Sequence, residues 1–399
     1  MKKLKILMIA PTPFFADRGT HIRILEEALA LRRRGHEVKI ATYHIGSDLP
    51  DDIASGIDVR RIRRLLFWYK KLEAGPDWQK IVLDVMLIRK TFFLARTWKP
   101  DILHGHLHEG VLIGWIVRRA LFWRRMRLVA DFHGSLTKEM VSHDYLGGGF
   151  LKRLFESIER VIDNLGDAAV ASSWSNAKEI SRIRRKDGVG VALDGARVFS
   201  PLSRKDRQST RERYGIPVEA TVVTYTGAFI ANKGIKTLVE AIPSALARDP
   251  NIFFVLTGFP RDQIEPLLAE QDIRSQVKII SPLPYFELGA ILGMSDIAID
   301  PKQDDTGQAS GKMLNYMGAG LPVVCFDTEN NREYLGKGGI FATDDTSQAL
   351  SDAIVTLSGA RDMWERYGEG NRARAHSFSW DRTGEKLEKT YETVFGENR

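Results

Sequence analysis

The chain of 399 residues has one cysteine, Cys325, set in an apolar run. One thiol makes no internal disulfide and excludes a zinc cage built on thiolates, and a reducing compartment suits such a chain best. No apolar run reaches the roughly 18–20 residues of a membrane-spanning helix. The opening MKKLKILMIAPTP has an apolar core of only Ile6 to Ala10 before Pro11 and Pro13, so it reads as a buried first strand rather than a secretory leader. The loop after that strand lacks a full Gly-x-Gly-x-x-Gly, which removes the dinucleotide fingerprint. Short internal repeats are absent too.

What is present divides into two halves of opposite charge. Residues 1–200 carry 35 Lys and Arg against 23 Asp and Glu, and residues 201–399 carry 23 against 28. A basic half joined to an acidic half suggests two domains with different partners. The strand Lys5–Ala10, the loop to Gly19, a helix from about Thr20 to Arg34 and the strand Val38–Tyr43 form a βαβ unit, whose ligands meet the C-terminal edge of the strands. Two later strands end in histidines: Asp101–His106, continuing to His108, and Arg127–Phe132, followed by His133. They should bring imidazoles along a common edge. His104, His106 and His108 are spaced for metal ligation only weakly without a cysteine, and a hydrogen-bonding or catalytic histidine is favoured over metal. A satisfied structural side chain stays open for each.

The second half alternates strands (Ala220–Thr226, Phe253–Thr257, Val277–Ile280, Asp296–Asp300 and Leu321–Phe326) with helices, the pattern of a second parallel sheet. The charged stretch Ser200–Arg213 reads as a loop, so the domain linker is expected near 195–215. Between Asp300 and Leu321 a polar loop leads into a short helix from about Gly311 to Met317, ended by Gly318 and Gly320. Ser310, Gly311 and Lys312 at its start combine free N–H groups, a close backbone approach and a positive charge, which suits a diphosphate. The tail from Ser379 reads as an amphipathic helix with Trp380, Leu387, Tyr391 and Phe395 on one face, expected to dock on a domain.

Two basic, aromatic segments stand out in the first half. One is Arg60–Lys71, with Arg64, Phe67 and Trp68. The other is Val111–Met126, with Arg118, Trp123 and Arg124 at spacings a helix could sort into faces. Cations beside exposed aromatics fit an anionic membrane surface. The alternatives are core aromatics with solvated arginines, or nucleic acid, for which no binding motif occurs.

Taken in order, these segments resemble the retaining glycosyltransferases of family 4, the group 1 type with a GT-B fold. The resemblance covers nearly the whole chain. It rests on Arg34-Gly-His-Glu-Val38, Pro100–His106, Asp131-Phe-His-Gly-Ser135, Leu193–Phe199, Tyr225–Gly234, Ser310–Val324 and Phe378-Ser-Trp380. It implies an α/β architecture of two Rossmann-like doubly wound domains facing a cleft, residues 1–199 for the acceptor and 200–377 for the donor. A C-terminal helix, 378–399, would return to the first domain. The implied activity is transfer of a sugar from a UDP- or GDP-linked donor to a membrane-borne lipid or glycan acceptor with retention, on the cytoplasmic face of a membrane. No cofactor is expected, the nucleotide-sugar being a substrate. The absence of any Asp-x-Asp triplet speaks against a metal.

Carried over by position, the resemblance gives Lys233 and the amides of Ser310 and Gly311 to the diphosphate, with Lys312 in support and Gly19 facing it. Gly227 and Gly258 are donor-binding positions, Leu283 lies where the base meets backbone, and Asn315 takes the ribose position. His106 and His133 face the sugar or acceptor. Three positions depart from the family pattern: Ala228 replaces an arginine, and Gly307 and Asn315 replace paired glutamates, with Gln308, Asp304 or Asp305 as substitutes for the first. These departures leave room for a non-catalytic nucleotide-sugar-binding subunit, or for an epimerase on the same fold.

Overall fold

The computed structural model describes residues 3–70, 77–142, 145–147, 149–185, 188–271, 273–302 and 311–396. Two compact units divide the described chain. One holds the residues up to Gly195 together with those from Trp380 onward, and the other runs from Ala196 to Ser379.

The N-terminal unit is a seven-stranded parallel sheet in the order β3-β2-β1-β4-β5-β6-β7. Its strands are β1 (Lys5–Ala10), β2 (Glu37–Thr42), β3 (Asp58–Arg61), β4 (Ile102–His106), β5 (Arg127–Phe132), β6 (Ala168–Ala171) and β7 (Val189–Val191). Buried on both faces, the central strands read as nearly continuous apolar runs, as a doubly wound sheet requires. The helix Gly19–Arg33 lies on one face. There the C-terminal helix Trp380–Gly396 packs beside it and across β6 and β7. Trp380, Leu387 and Tyr391 are buried, whereas Phe395, expected on the same face, is 38% exposed one residue from the helix end. On the other face the helix Leu107–Ala120 packs between Trp78–Trp98 and Phe150–Asp163.

The C-terminal unit is a six-stranded parallel sheet, order β10-β9-β8-β11-β12-β13. The strands are β8 (Thr221–Thr226), β9 (Ile252–Thr257), β10 (Val277–Ile280), β11 (Ile297–Asp300), β12 (Val323–Phe326) and β13 (Gly339–Ala342). Cys325 is fully buried in β12. In both sheets the strand order reverses at one place, between β1 and β4 and between β8 and β11. Ligands of doubly wound sheets bind outside the strand C-termini at such points.

Three sequence expectations need correction. The charged stretch taken for a linker folds as the helix Arg204–Tyr214, capped by Ser203 and stopped by Gly215 at φ +67°. Its Arg207 and Arg211 reach Asp296, so these charges tie the helix to the sheet. The helix in the second basic segment is Leu107–Ala120, starting directly at the end of β4. Phe122–Arg124 form a separate turn before Arg125 at φ +52°. Gly318 lies inside the helix Gly311–Ala319, where a Cβ would meet the Arg197 carbonyl oxygen at 2.0 Å, and Gly320 alone, at φ +71°, makes the left-handed exit.

Candidate functional site

In the N-terminal unit the histidines do converge, though not as the sequence spacing first suggests. His104 and His106 alternate onto one face of β4, their rings stacked 4.5 Å apart, and Asp131 pairs with His106 in register on β5. The Tyr391 hydroxyl donates to His104 Nδ1 at 2.6 Å, leaving Nε2–H to face Asp131 Oδ2 at 3.3 Å. His106 Nδ1 lies 3.3 Å from both Asp131 Oδ2 and His133 Nε2. His106 Nε2 and His133 Nδ1 are buried with no hydrogen-bond partner among the described residues. With the proton of His106 on Nδ1, these two atoms are one acceptor and one donor. His108 leaves the cluster. It belongs to the helix after β4 and points to the opposite sheet face, 3.4 Å from Asp163 and 3.6 Å from Glu159.

Four participants carried no assigned role in the sequence reading. Arg23 and Glu27, one turn apart on the buried face of the helix Gly19–Arg33, reach into the cluster with Asp131, and Tyr391 enters from the C-terminal helix. Arg23 Nη2 lies 2.8 Å from Glu27 Oε1 and 3.1 Å from Asp131 Oδ1, while Nη1 donates to Asp194 Oδ1 at 2.8 Å. The signal was an Arg and a Glu inside an otherwise apolar helix stripe, where unpaired charges are too costly to bury.

Burial and charge set the protonation states here. Burial, with His104 adding to it, lowers His106 to about 4. Burial likewise takes His133 well below the usual value, so both imidazoles are neutral near pH 7. Burial opposes ionisation of Asp131, yet Arg23, with hydrogen bonds from His104 and His106, holds its carboxyl well below the carboxylate range. Glu27 moves up, burial outweighing Arg23. Glu27, His104, His106 and Asp131 bring donor atoms within 4.8 Å of one another, close enough to hold a metal ion. Arg23 already stands between the two carboxylates as the compensating cation, so the set is built around a guanidinium.

The second candidate site lies at the switch point of the C-terminal unit. After β8 the chain turns through Gly227 at φ +145° and a short 3₁₀ turn, Ala231–Lys233, to Gly234 at φ +74°. A Cβ on Gly234 would sit 1.8 Å from the Pro301 carbonyl oxygen, and one on Gly258 would sit 1.7 Å from that of Gly227. Glycine lets the loops after β8, β9 and β11 close on one another. Tyr225 Oη donates to the Ala228 carbonyl at 2.8 Å, and the Thr226 N–H donates to Tyr316 Oη at 2.8 Å, pinning the first loop to the helix Gly311–Ala319. On that helix Lys312 Nζ pairs with the buried Asp300 at 2.8 Å and lies 4.6 Å from the centroid of the Tyr225 ring. Gly311, Lys312 and half-buried Asn315 share one side. Lys233 is half-buried at the end of its turn, Leu283 packs its side chain on the core under β10, and Gly19 opens its helix with nothing within 4 Å of its Cβ position. Gln308 and Ser310, with Asp304, Asp305 and Gly307, lie outside the described residues.

Of the residues read as membrane contacts, Phe67, Trp68 and Trp123 are exposed. Arg64 donates to the Phe67 carbonyl at 3.4 Å and Arg124 to that of Arg96 at 3.3 Å. Arg118 is instead a structural residue, its guanidinium held by Asp167 and the Leu165 carbonyl. No described helix is long and apolar enough to cross a membrane.

Known proteins share this fold. Residues 18–227 match the glycosyl transferase 4-like domain and residues 206–374 match glycosyl transferases group 1. The D-inositol 3-phosphate glycosyltransferase of Corynebacterium glutamicum is 24% identical over 95% of this chain and 93% of its own. The phosphatidyl-myo-inositol mannosyltransferase of Mycolicibacterium smegmatis is 23% identical over 98% and 95%. The structure of HepE from Anabaena in complex with UDP-glucose superposes with a TM-score of 0.75, at 17% identity, over 98% of this chain and all of that one. With these matches along its length and its two Rossmann-like sheets, the chain belongs to the group 1, family 4-like glycosyltransferases of the GT-B fold.

Proposed function

We propose that the protein transfers a sugar from a UDP- or GDP-linked donor to a lipid or glycan acceptor, with retention of configuration and without metal. The carrying observation is the glycine-lined switch point of the C-terminal unit, where the Gly227–Gly234 turn and the helix start at Gly311 bring amides and Lys312 to one strand edge. Such a cradle suits a diphosphate. As the glycosidic bond breaks, the leaving diphosphate gains negative charge, which Lys312, Lys233 and fixed N–H dipoles stabilise without reorganising. Neutral His106 and His133 offer one acceptor and one donor to hydroxyl groups, so they hold the sugar or acceptor in position and carry no charge of their own. The relatives named for phosphorylated or lipid-linked inositol acceptors, and the UDP-glucose complex, support this reading. A lipid acceptor implies a peripheral position at a membrane, and a single cysteine with no partner for a disulfide fits its cytoplasmic face.

The test is a thermal-shift panel with UDP, GDP, ADP and CMP on wild type, Lys233→Ala and Lys312→Met. One nucleotide should raise the melting temperature of wild type, and the variants should lose most of that shift. NMR of the product should then show the donor's anomeric configuration, at a rate unaffected by EDTA. If no nucleotide shifts the protein, the donor site is wrong; if chelation stops turnover, the metal-free mechanism is. Ala228 favours a second reading, because the Tyr225 hydroxyl fastens this loop with no arginine in it. A nucleotide shift without turnover would make the chain a binding subunit, and an altered donor without acceptor would make it an epimerase.

A further inference from the structure

The helix Phe150–Asp163 of the N-terminal unit plays no part in either candidate site. Its Phe150, Leu151, Leu154, Ile158 and Val161 are all exposed, Phe150 to 81% and Val161 to 63%. At helical spacing these five fall within about 100° of arc, one continuous apolar stripe. The charges sort around it. Lys152, Arg153 and Arg160 are exposed. The acids turn inward: Glu159 accepts from the Leu136 and Thr137 amides and from Thr137 Oγ1, and Asp163 faces His108. Glu156 is half-buried. Apart from part of Glu156 and Ser157, what this helix shows to solvent is apolar surface and positive charge.

The same chemistry continues across this side of the sheet. The helix Trp78–Trp98, which packs on the far flank of Leu107–Ala120, exposes Trp78, Ile81, Val85 and Phe93, with Arg89 stacked over the Phe93 ring at 5.0 Å. Phe122 and Trp123, at the end of the central helix, are exposed beside Arg125. The buried ionic cluster, by contrast, lies under the helices on the opposite face.

We propose that this helical face is a docking surface for an anionic lipid bilayer, with the Phe150–Val161 stripe entering the interface and Lys152, Arg153 and Arg160 meeting the headgroups. Apolar insertion joined to cation attraction is the pairing that gives stable peripheral binding. A second copy of the chain is disfavoured, because a two-fold contact through this helix would bring its three cations against themselves. The proposal deepens the lipid-acceptor reading above, but its test needs no turnover.

The experiment is flotation of the full chain with neutral phosphatidylcholine vesicles and with vesicles containing roughly one-third phosphatidylglycerol. The wild type should float with the anionic vesicles and remain below with the neutral ones, and high salt should weaken the binding. Each cation near an anionic leaflet is worth roughly fivefold, so Lys152→Gln, Arg153→Gln and Arg160→Gln together should lower partition about a hundredfold. Leu154→Ser with Val161→Ser should lower it at least about tenfold. Unchanged circular dichroism and melting would show that these exposed changes leave the fold intact. The proposal is overturned if wild type stays unbound on anionic vesicles, or if the serine variant floats like wild type. It is also overturned if wild type sediments as a dimer that the serine variant dissociates. Normal flotation without sugar transfer would count against the proposed activity and leave this surface standing.

Discussion

Replacing Arg23 with methionine tests the buried cluster most directly, because it keeps the stem of the side chain and deletes the charge. Arg23 is 2% exposed, and its two terminal nitrogens face Glu27, Asp131 and Asp194 at 2.8–3.1 Å. Removing it leaves carboxylates buried without their cation, a change that costs about 3–5 kcal/mol. The pH dependence has a defined sign. In the wild type Asp131 is held below its unfolded value, so its contribution is present above that value and is lost as pH falls through the folded one. In the variant only the hydrogen bonds from His104 and His106 still oppose burial, which outweighs them and lifts Asp131 above its unfolded value. The folded state then binds the proton more tightly than the unfolded chain, so the deficit against wild type is largest near neutrality and shrinks on acidification. Of the eight tryptophans only Trp364 lies outside the N-terminal unit, so tryptophan fluorescence during urea unfolding follows mainly the unit concerned. A deficit below about 1 kcal/mol near neutral pH, or one that grows on acidification, would refute the reasoning.

Three further outcomes are expected. His108 is raised because Asp163 and Glu159 outweigh its burial, so its stabilising contribution is present below the unfolded value and lost as pH rises through the folded one. His108→Gln should therefore cost more stability near pH 6 than near pH 8.5 in urea titrations, and an equal loss at both would remove the ion pair from the account. Gly234→Ala forces a side chain into φ +74° and against the Pro301 carbonyl, for a loss of about 2 kcal/mol or more and a melting temperature some 4–8 °C lower. An unchanged melting point would mean that the loop relaxes freely. Tyr391→Phe strands His104 Nδ1 in the core at a cost of about 1–2 kcal/mol by chemical denaturation, and a neutral result would show that this hydrogen bond contributes nothing net.

The sequence by itself determined most of the alternation of strand and helix, because Gly35, which stops the first helix, and the apolar strand runs act through local backbone preference and periodicity, although the helix Arg204–Tyr214 was hidden by its charge. It also determined that two strands end in histidines and that a glycine-rich turn precedes a helix at Ile235, since those are facts of order along the chain. Only the tertiary structure decided which histidines meet. His104 and His106 share a face with Asp131 because parallel register sets them side by side, while His108 turns away as the strand becomes a helix. The roles of Arg23, Glu27 and Tyr391 were likewise hidden. A charge inside an apolar stripe shows that a partner must exist, but the partners stand on other strands and on a helix hundreds of residues away. Surface roles divide in the same manner. Trp123 and Arg118 look equivalent in sequence, yet Asp167, brought close by the β5–β6 connection, holds Arg118 half-buried and leaves Trp123 in solvent. Local propensity depends on neighbours in sequence, whereas burial and charge pairing depend on neighbours in space, and those exist only once the sheet has formed.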